Sequence, residues 1–409
     1  MKVLIVNNFF APNIVGGAER SVQYLCEGLV DLGWEVEVVT LSFKDISYRD
    51  SLNGFSVNYV KRYISKYSPL NKKRTYLGRL VFQFLSELWL PSERLEFKRV
   101  FDTFRPDLVL TNNLAGLGVF PWRVSSSNSV PVVHTLRDYY QICMKQNMLK
   151  AEDSCVGQCI ECGVATAHRK MNSSLVKTVV GNSKFILDKH LTNGYFKLCD
   201  NKSVIFSCCS DEFMAKAKVS VIKDTADDFV FGYIGQLIES KGVALLINQF
   251  LLLVNDYPYV TLLIAGDGPE GYVHDLKSLV FTLGLESKVK FLGRVDAMFF
   301  MDRVHSVIVP SLWHEPLARV IYESFAMKKF VIASNTGGSP EVIKNGVNGY
   351  IFDIKGSSSL LERMKIPLDD KNAYYSICKS AGDEDFSPMK TSLGYSNLFN
   401  SVLNKNENK

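Results

Sequence analysis

Short runs of β-branched and other apolar residues alternate with segments of helical periodicity along most of the chain. In the first half the runs fall at 3–6, 36–41, 108–111, 131–135, 178–180 and 203–206. Runs this short, largely unbroken by polar positions and separated by helix-length stretches, predict parallel strands buried on both faces by helices. The alternation begins again at 229–234 and continues at 261–265, 289–292, 307–309, 331–333 and 350–352. The pattern therefore predicts an α/β chain with two successive parallel sheets of similar size.

Between the two series, residues 211–228 are rich in Lys, Ala and Asp and poor in bulky side chains, so they read as the tail of an interdomain connection. After Phe352 the strand pattern stops, and 387–403 reads as a helix that packs back on the first domain. The expected organisation is a first α/β domain at 1–210, a second at 211–385, and a terminal helix with a polar tail at 386–409. Open parallel sheets take ligands beyond the carboxyl ends of their strands, so two facing sheets would enclose a cleft. Segment 76–90 is the most apolar long stretch, but Arg79, Gln83 and Glu87 lay a polar stripe along one helical face, which suits a helix on a core or at a membrane interface rather than a span. The first apolar run meets Asn7 and Asn8 too early for a signal-peptide core, so secretion is not expected.

Composition adds little to that picture and removes some classes. The 409 residues are 47% apolar and 22% charged, an ordinary globular mix. Lys and Arg exceed Asp and Glu by 47 to 42, too small an excess for a nucleic-acid binder. Nine cysteines without an export signal read as reduced thiols in a cytoplasmic compartment.

Candidate chemistry sits where strands give way to helices. The first strand runs into NNFFAPNIVGGAER, and Gly16-Gly17 at a helix start lets an anion approach backbone N–H groups and the positive end of the dipole. The second sheet opens likewise with GYIGQLIESKG, where Gly235 and Gln236 turn the chain and Lys241-Gly242 leads into an apolar helix; Lys241 suits a phosphate. GDGPEG at 266–271 matches a dinucleotide fingerprint, yet Pro269 removes one cradling N–H and no acidic residue ends the next strand, so nicotinamide redox chemistry is not expected. Gly266 is instead kept as a candidate ligand-side glycine. In PSLWHEPLARVIYESFAMKKFVIASNTGGSPEVI, Pro316 suits a first helical position, which would put Glu315 at the helix N-terminus and Glu323 about two turns inside. Two carboxylates there suit vicinal hydroxyls while the helix N–H groups hold an anion, the combination a sugar nucleotide requires. A second helix start, Ser339-Pro340-Glu341, follows Gly337-Gly338.

With these motifs in view, nearly the whole chain resembles a retaining glycosyltransferase of family 4, whose architecture is GT-B: two facing Rossmann-like domains. The resemblance rests on Glu315-x7-Glu323, the Gly235/Lys241-Gly242 loop, Gly16-Gly17-Ala18-Glu19 and the late FSPMKTSLGYSNLF helix. It implies a nucleoside-diphosphate sugar donor, with the residue matching Glu315 on the sugar, that matching Glu323 on the ribose and that matching Lys241 on the diphosphate together with the amides at Leu317 and Ala318, and no metal required for catalysis. The one DxD, at 383–385, precedes the last helix and reads as a solvated helix start.

Three positions depart from the family pattern. Gln236 stands where Arg is usual, so one cation on the diphosphate is missing; Ala318 replaces a common Gly; and in VVHTLRDYY the residue before Asp138 is Arg137 where a His is usual. His134, Arg137 and Asp138 are assigned to the acceptor side, and Arg137 either orients an anionic acceptor or supports the diphosphate as a catalytic group beside Lys241 and Glu315. Cys155, Cys159 and Cys162, spaced x3 and x2, with Cys143 and His168 nearby, could close a structural zinc site, form a disulfide, or remain free thiols. The implied reaction is sugar transfer to a glycan or lipid-linked acceptor in polysaccharide or cell-surface glycan biosynthesis. Lys61-Arg62 and Lys72-Lys73-Arg74 among Tyr63, Tyr67 and Tyr76 fit either a membrane-surface acceptor such as a lipid-linked glycan or a solvated surface. A sugar-nucleotide epimerase of the same shape and a non-catalytic scaffold are the competing readings.

Overall fold

The computed structural model describes residues 1–14, 16–61, 91–150, 153–225, 228–355 and 359–407. The helix expected at 76–90 and the basic clusters at Arg62 and Lys72-Lys73-Arg74 lie outside them. Among the described residues no helix is long and apolar enough to cross a membrane. The chain divides into two compact units: Met1–Lys150, Cys155–Cys208 and Pro388–Lys409 form the first, and Ala151–Ser154 with Cys209–Ser387 the second.

The strands up to residue 204 are β1 (Lys2–Val6), β2 (Glu35–Leu41), β3 (Tyr48–Leu52), β4 (Phe55–Val60), β5 (Leu108–Thr111), β6 (Val132–Leu136), the two-residue β7 (Leu149–Lys150) and β8 (Asp153–Ser154), β9 (Thr178–Gly181) and β10 (Asn201–Val204). The eight-stranded sheet of the first unit runs β10-β9-β6-β5-β1-β2-β4-β3. Its neighbours are parallel except β3 on β4. The central strands β5, β6 and β9 are buried at every position, as sheets covered on both faces require. The edge strand β3 instead exposes Arg49 and Asp50, charges that discourage further strand pairing. That polar sequence is why the β3–β4 hairpin is absent from the expected strands. The strand expected at 203–206 lies two residues earlier, because β10 pairs with β9 from Asn201↔Thr178 to Val204↔Gly181 and β9 ends there.

The terminal helix Pro388–Glu407 belongs to the first unit and packs on Gly17–Asp31. Trp34 Nε1 donates to Ser396 Oγ at 2.9 Å, and its ring meets Phe399 edge-on with centroids 5.4 Å apart. Residues 211–219, expected as linker, form the helix Asp211–Val219: Ser210 Oγ caps the Phe213 N–H, acidic residues fill the first turn, and Phe213 and Ala217 are buried one turn apart.

In the second unit β11 (Phe229–Ile234), β12 (Val260–Ala265), β13 (Val289–Gly293), β14 (Ser306–Val309), β15 (Phe330–Ser334) and β16 (Tyr350–Phe352) form an all-parallel sheet ordered β13-β12-β11-β14-β15-β16. Phe229, Phe231 and Ile264 from the sheet pack with Leu246, Ile247 and Phe250 of the helix Val243–Asp256. The chain moves outward from β11 to β13, then returns to place β14 on the other side of β11. Strand order reverses in the same way between β1 and β5. Such a reversal splays the connections on either side and opens a crevice at the strands' carboxyl ends.

Candidate functional site

The reversal in the second unit gathers residues from three connections. After β11 the chain passes Gly235 and the exposed Gln236 into the turn Glu239–Lys241; after β14 it passes Ser311 to Glu315; after β15 it reaches Gly337 and Gly338. Lys241 Nζ stands 2.7 Å from Glu315 Oε2, with the two side chains 20% and 11% exposed. Ser311 Oγ donates to the other carboxylate oxygen of Glu315. Gly338 N–H donates to the Glu315 carbonyl at 2.9 Å. Gly337, at φ 57, lies so close that a Cβ there would come within 1.8 Å of that carbonyl oxygen. The backbone of Glu315 is thus fixed from β15 while its side chain is fixed from β11 and β14.

This clamp changes the expected helix start. Residues 315–317 remain outside the helix, Ala318 is its extended N-cap, and the helix is Arg319–Ala326. Glu315 therefore precedes the helix by a loop, Pro316 is not its first residue, and Glu323 sits one turn inside rather than two. Glu323 pairs with Arg319 of its own helix, whose Nη2 and Nε lie 2.6 and 3.1 Å from Oε1. Two of the glycines of GDGPEG serve packing: Gly266, at φ 136, would bring a Cβ to 1.7 Å from the Gly235 carbonyl oxygen and its N–H donates to Gly293 O, and a Cβ at Gly268 would come 1.9 Å from the Leu237 carbonyl oxygen. The sequence reading missed Ser311 and Tyr233. The buried Tyr233 hydroxyl donates to Gln236 O at 2.7 Å, and burial next to the Glu315 charge pushes its phenol well above the ordinary value.

Helix caps in this sheet follow a pattern. Helices after the outer strands β13 and β16 begin with side-chain caps, Asp296 and Ser359. Those after the inner strands β11, β12, β14 and β15 begin at Gly242, Pro269, Ala318 and Gly338, with no side-chain cap bond. First-turn amides at the reversal are therefore not committed to a local side-chain oxygen, the arrangement an anionic ligand requires.

In the first unit, Arg137 follows β6; its Nε donates to Asn112 Oδ1 at 3.1 Å and its Nη1 to Ser207 Oγ at 2.7 Å. Asp138 accepts the Tyr140 N–H at 2.8 Å and a hydrogen bond from the Asn113 side chain. Burial pushes its carboxyl up to about 6, with the nearby Glu19 adding to the rise and Arg169 opposing it. Glu19 Oε2 accepts the Gly16 N–H at 2.8 Å, so the amide expected to meet an anion is already engaged; Gly17 opens the helix. His134 lies inside the core, 2% exposed, bonded through Nδ1 to Thr111 Oγ1 at 2.8 Å and stacked on Phe196. Burial lowers it to about 3, so it is neutral. Arg137 and Asp138 are brought together at the strand end, and His134 is kept apart in the layer beneath. Cys155, Cys159 and Cys162 lie on and before the short helix Ile160–Ala165, and among the described residues no group of three or more His, Cys, Asp or Glu is arranged to hold a metal ion.

The family model for glycosyl transferases group 1 matches residues 216–384, and that for glycosyltransferase family 4 matches 15–153. The chain is 28% identical over 376 residues to an uncharacterized 42.6 kDa protein in the cps region of Klebsiella pneumoniae, covering 91% of this chain and 96% of that one. It is 23% identical over 186 residues to the capsular polysaccharide biosynthesis glycosyltransferase CapM of Staphylococcus aureus, covering 45% and 49%. The crystal structure of Anabaena Alr3699/HepE in complex with UDP shares the fold at a TM-score of 0.71 and 21% identity, over 98% of this chain and 100% of that one. With two parallel-sheet Rossmann-like units of the GT-B kind and both family models matched in succession, the chain belongs to the group 1 glycosyl transferases of glycosyltransferase family 4.

Proposed function

We propose that the protein transfers a sugar from a nucleoside-diphosphate donor to a glycan or lipid-linked acceptor, with retention of configuration, in the assembly of a cell-surface polysaccharide. The observation that carries this reading is the Lys241–Glu315 pair beside uncapped helix starts at the reversal of the second sheet. A cation and helix amides answer a diphosphate, and a carboxylate answers sugar hydroxyls. The UDP bound by the Anabaena protein and the polysaccharide role in the name of CapM belong to those proteins and support the same reading here.

In the proposed reaction the bond between the anomeric carbon and the diphosphate oxygen breaks, and the acceptor oxygen bonds to that carbon on the same face. The acceptor's proton passes to the departing phosphate oxygen. Lys241 and the amides at Leu317 and Ala318 take up the charge developing on the diphosphate, Glu315 holds the sugar and Glu323 the ribose. No divalent ion is assigned to this step, because the cation and amides already face the charge. Arg137 and Asp138 are assigned to the acceptor. His134, neutral and buried, positions β6 rather than touching the acceptor. The protein is placed in the cytoplasm, meeting lipid-linked acceptors through the basic and aromatic sequence between 61 and 76.

A thermal-shift series with UDP-, GDP-, ADP- and CMP-sugars tests the donor. One nucleotide class should raise the melting temperature through mass action, and Glu323→Ala should abolish the shift. Absence of a shift with every donor, from folded protein, would sink the reading. The anomeric proton coupling of the product decides retention.

A further inference from the structure

The cation at the end of β6 is held in place but not neutralised. Arg137 is partly buried, and the two groups that fix it, Asn112 Oδ1 at 3.1 Å and Ser207 Oγ at 2.7 Å, are both uncharged. Among the described residues no carboxylate lies within ion-pair distance of it, and its Nη2 makes no hydrogen bond yet is not enclosed. The adjacent Asp138 does not supply the countercharge, since its carboxyl accepts the Tyr140 N–H at 2.8 Å and a bond from the Asn113 side chain. In the second unit the similarly sheltered Lys241 and Arg319 each sit on a carboxylate. Arg137 is built differently.

Its neighbours are also left open. A guanidinium can only donate, so Asn112 must turn its oxygen to Arg137, and its Nδ2, in a side chain 1% exposed, has no partner. Asn182 follows β9. Its N–H donates to Leu136 O at 3.1 Å, and its Oδ1, in a residue 7% exposed, has no partner either. Strand register explains the meeting: Leu136 pairs with Gly181, so Arg137 and Asn182 leave the sheet as neighbours, while Asn112 follows β5 on the other side of β6. One charged donor, one neutral donor and one acceptor therefore stand unfilled at three adjacent strand ends, next to the reversal between β1 and β5. Buried polar atoms are rarely left without a bond, and a partly desolvated cation without a countercharge is costly. A ligand that fills all three removes that cost.

We propose that Arg137 binds a single negative charge carried by the acceptor, the carboxylate of an acidic sugar or a phosphodiester, with Asn112 Nδ2 as a second donor to the oxyanion and Asn182 Oδ1 accepting from a neighbouring hydroxyl. The inference rests on the sugar-transfer reading above and narrows its acceptor to an anionic glycan. One cation among uncharged partners balances one charge. A phosphomonoester would bring a second, for which the nearby cation, Arg169, already acts on Asp138. The planar guanidinium suits the two oxygens of such a group, and the bonds to Asn112 and Ser207 fix its plane before the acceptor arrives.

Ligand-observed NMR on the full-length protein tests this with methyl glucuronide, the neutral methyl glucoside and dimethyl phosphate. The wild type should bind one of the two anions about tenfold or more tighter than the glucoside, and which anion it prefers separates a carboxylate from a phosphodiester. Arg137→Gln should abolish the preference while UDP, GDP and ADP bind as they do to the wild type. Arg137→Lys, which keeps the charge and loses the fork, should fall between the two. Should Arg137→Gln fail to fold, the wild-type preference and Arg137→Lys still decide. Two results overturn the proposal: a wild type that prefers neither anion to the glucoside, or an Arg137→Gln variant that loses nucleoside-diphosphate binding as well, which would give the cation to the donor. An anion preference in a protein that binds no donor would uphold the site and sink the sugar-transfer reading, so the two fail separately.

Discussion

Glu315 and Lys241 stand 2.7 Å apart in a half-closed setting, so each neutralises the other before any ligand arrives. Replacing one therefore has opposite consequences from replacing the other. Lys241→Ala leaves a mostly buried carboxylate with only the Ser311 hydroxyl still donating to its side chain among the bonds described above, which should destabilise the second unit by about 1–3 kcal/mol and weaken nucleoside-diphosphate binding. Glu315→Gln frees the ammonium, so the nucleoside diphosphate should bind as well or better while sugar transfer falls at least about tenfold. Calorimetry with the free diphosphate checks this; equal weakening in both variants would remove Lys241 from the phosphate. Gln236 is exposed at the same turn. Gln236→Arg should tighten diphosphate binding by about threefold to tenfold, an advantage that fades with salt because the site is open to water. Unchanged affinity at low salt would place the side chain away from the phosphates. Lys241 and Glu315, which stand as a pair in the structure, were each visible in a local spacing of one strand-to-helix unit. Ser311's bond to Glu315, and Glu19's approach to Asp138, were not: the latter joins chain positions 119 residues apart (138 − 19), and only strand order brings them together.

Among elements, the division between capped and uncapped helices separates the sheet's outer strands from its centre. The helix Arg319–Ala326 makes the contrast testable, because Ala318 has the extended backbone of an N-cap and no side-chain oxygen. Ala318→Ser supplies an acceptor for a first-turn amide and should stabilise the second unit by about 0.5–1 kcal/mol. The same bond occupies a first-turn amide, Val320 or Ile321, at the uncapped helix start on which the proposed donor site rests, so donor affinity should fall while the melting temperature rises. A variant that gains stability and keeps full donor affinity would show that these amides do not meet the ligand. The sequence suggested a helix beginning at Pro316, since proline favours a first helical position. What displaced the start was Gly337 and Gly338, more than twenty residues later in the chain, closing on the Glu315 backbone. A local signal was overruled by a contact that no local pattern contains. Within the connection expected at 211–228, Ser210, Phe213 and Ala217 make a short capped helix with only two buried anchors, too little periodicity to stand out.

At the scale of the molecule the two parallel sheets were visible in advance because their inner strands are short, largely buried and mostly apolar, whereas the polar β3 of the edge hairpin carries no such pattern. Burial has a further consequence, since it also traps titratable groups. Burial lowers His134 to about 3 and His190 to about 4 in the first unit, and His305 to about 4 in the second. Each is neutral when folded and takes up a proton on unfolding below about pH 6.5, so its contribution is complete above that pH and is lost as pH falls toward the folded value. Asp138 has the opposite sign. Its carboxyl is raised from 3.8 to about 6, so its contribution is complete below 3.8 and is lost as pH rises through about 6. Between about pH 4.5 and 6, unfolding the first unit therefore gains two protons at the histidines and loses about one at Asp138. Stability should fall with acid by about 1.4 kcal/mol per pH unit for each net proton. Asp138→Asn removes the compensating group, so the first unit should become more acid-sensitive, with the slope approaching twice the original. Urea midpoints followed by tryptophan fluorescence across that range measure it, since Trp34 and Trp122 both lie in the first unit. Parallel slopes for the two proteins would mean that Asp138 ionises as freely in the fold as in the unfolded chain. A steeper slope in the variant would instead fix an acid, half protonated at about pH 6, at the strand end assigned to the acceptor.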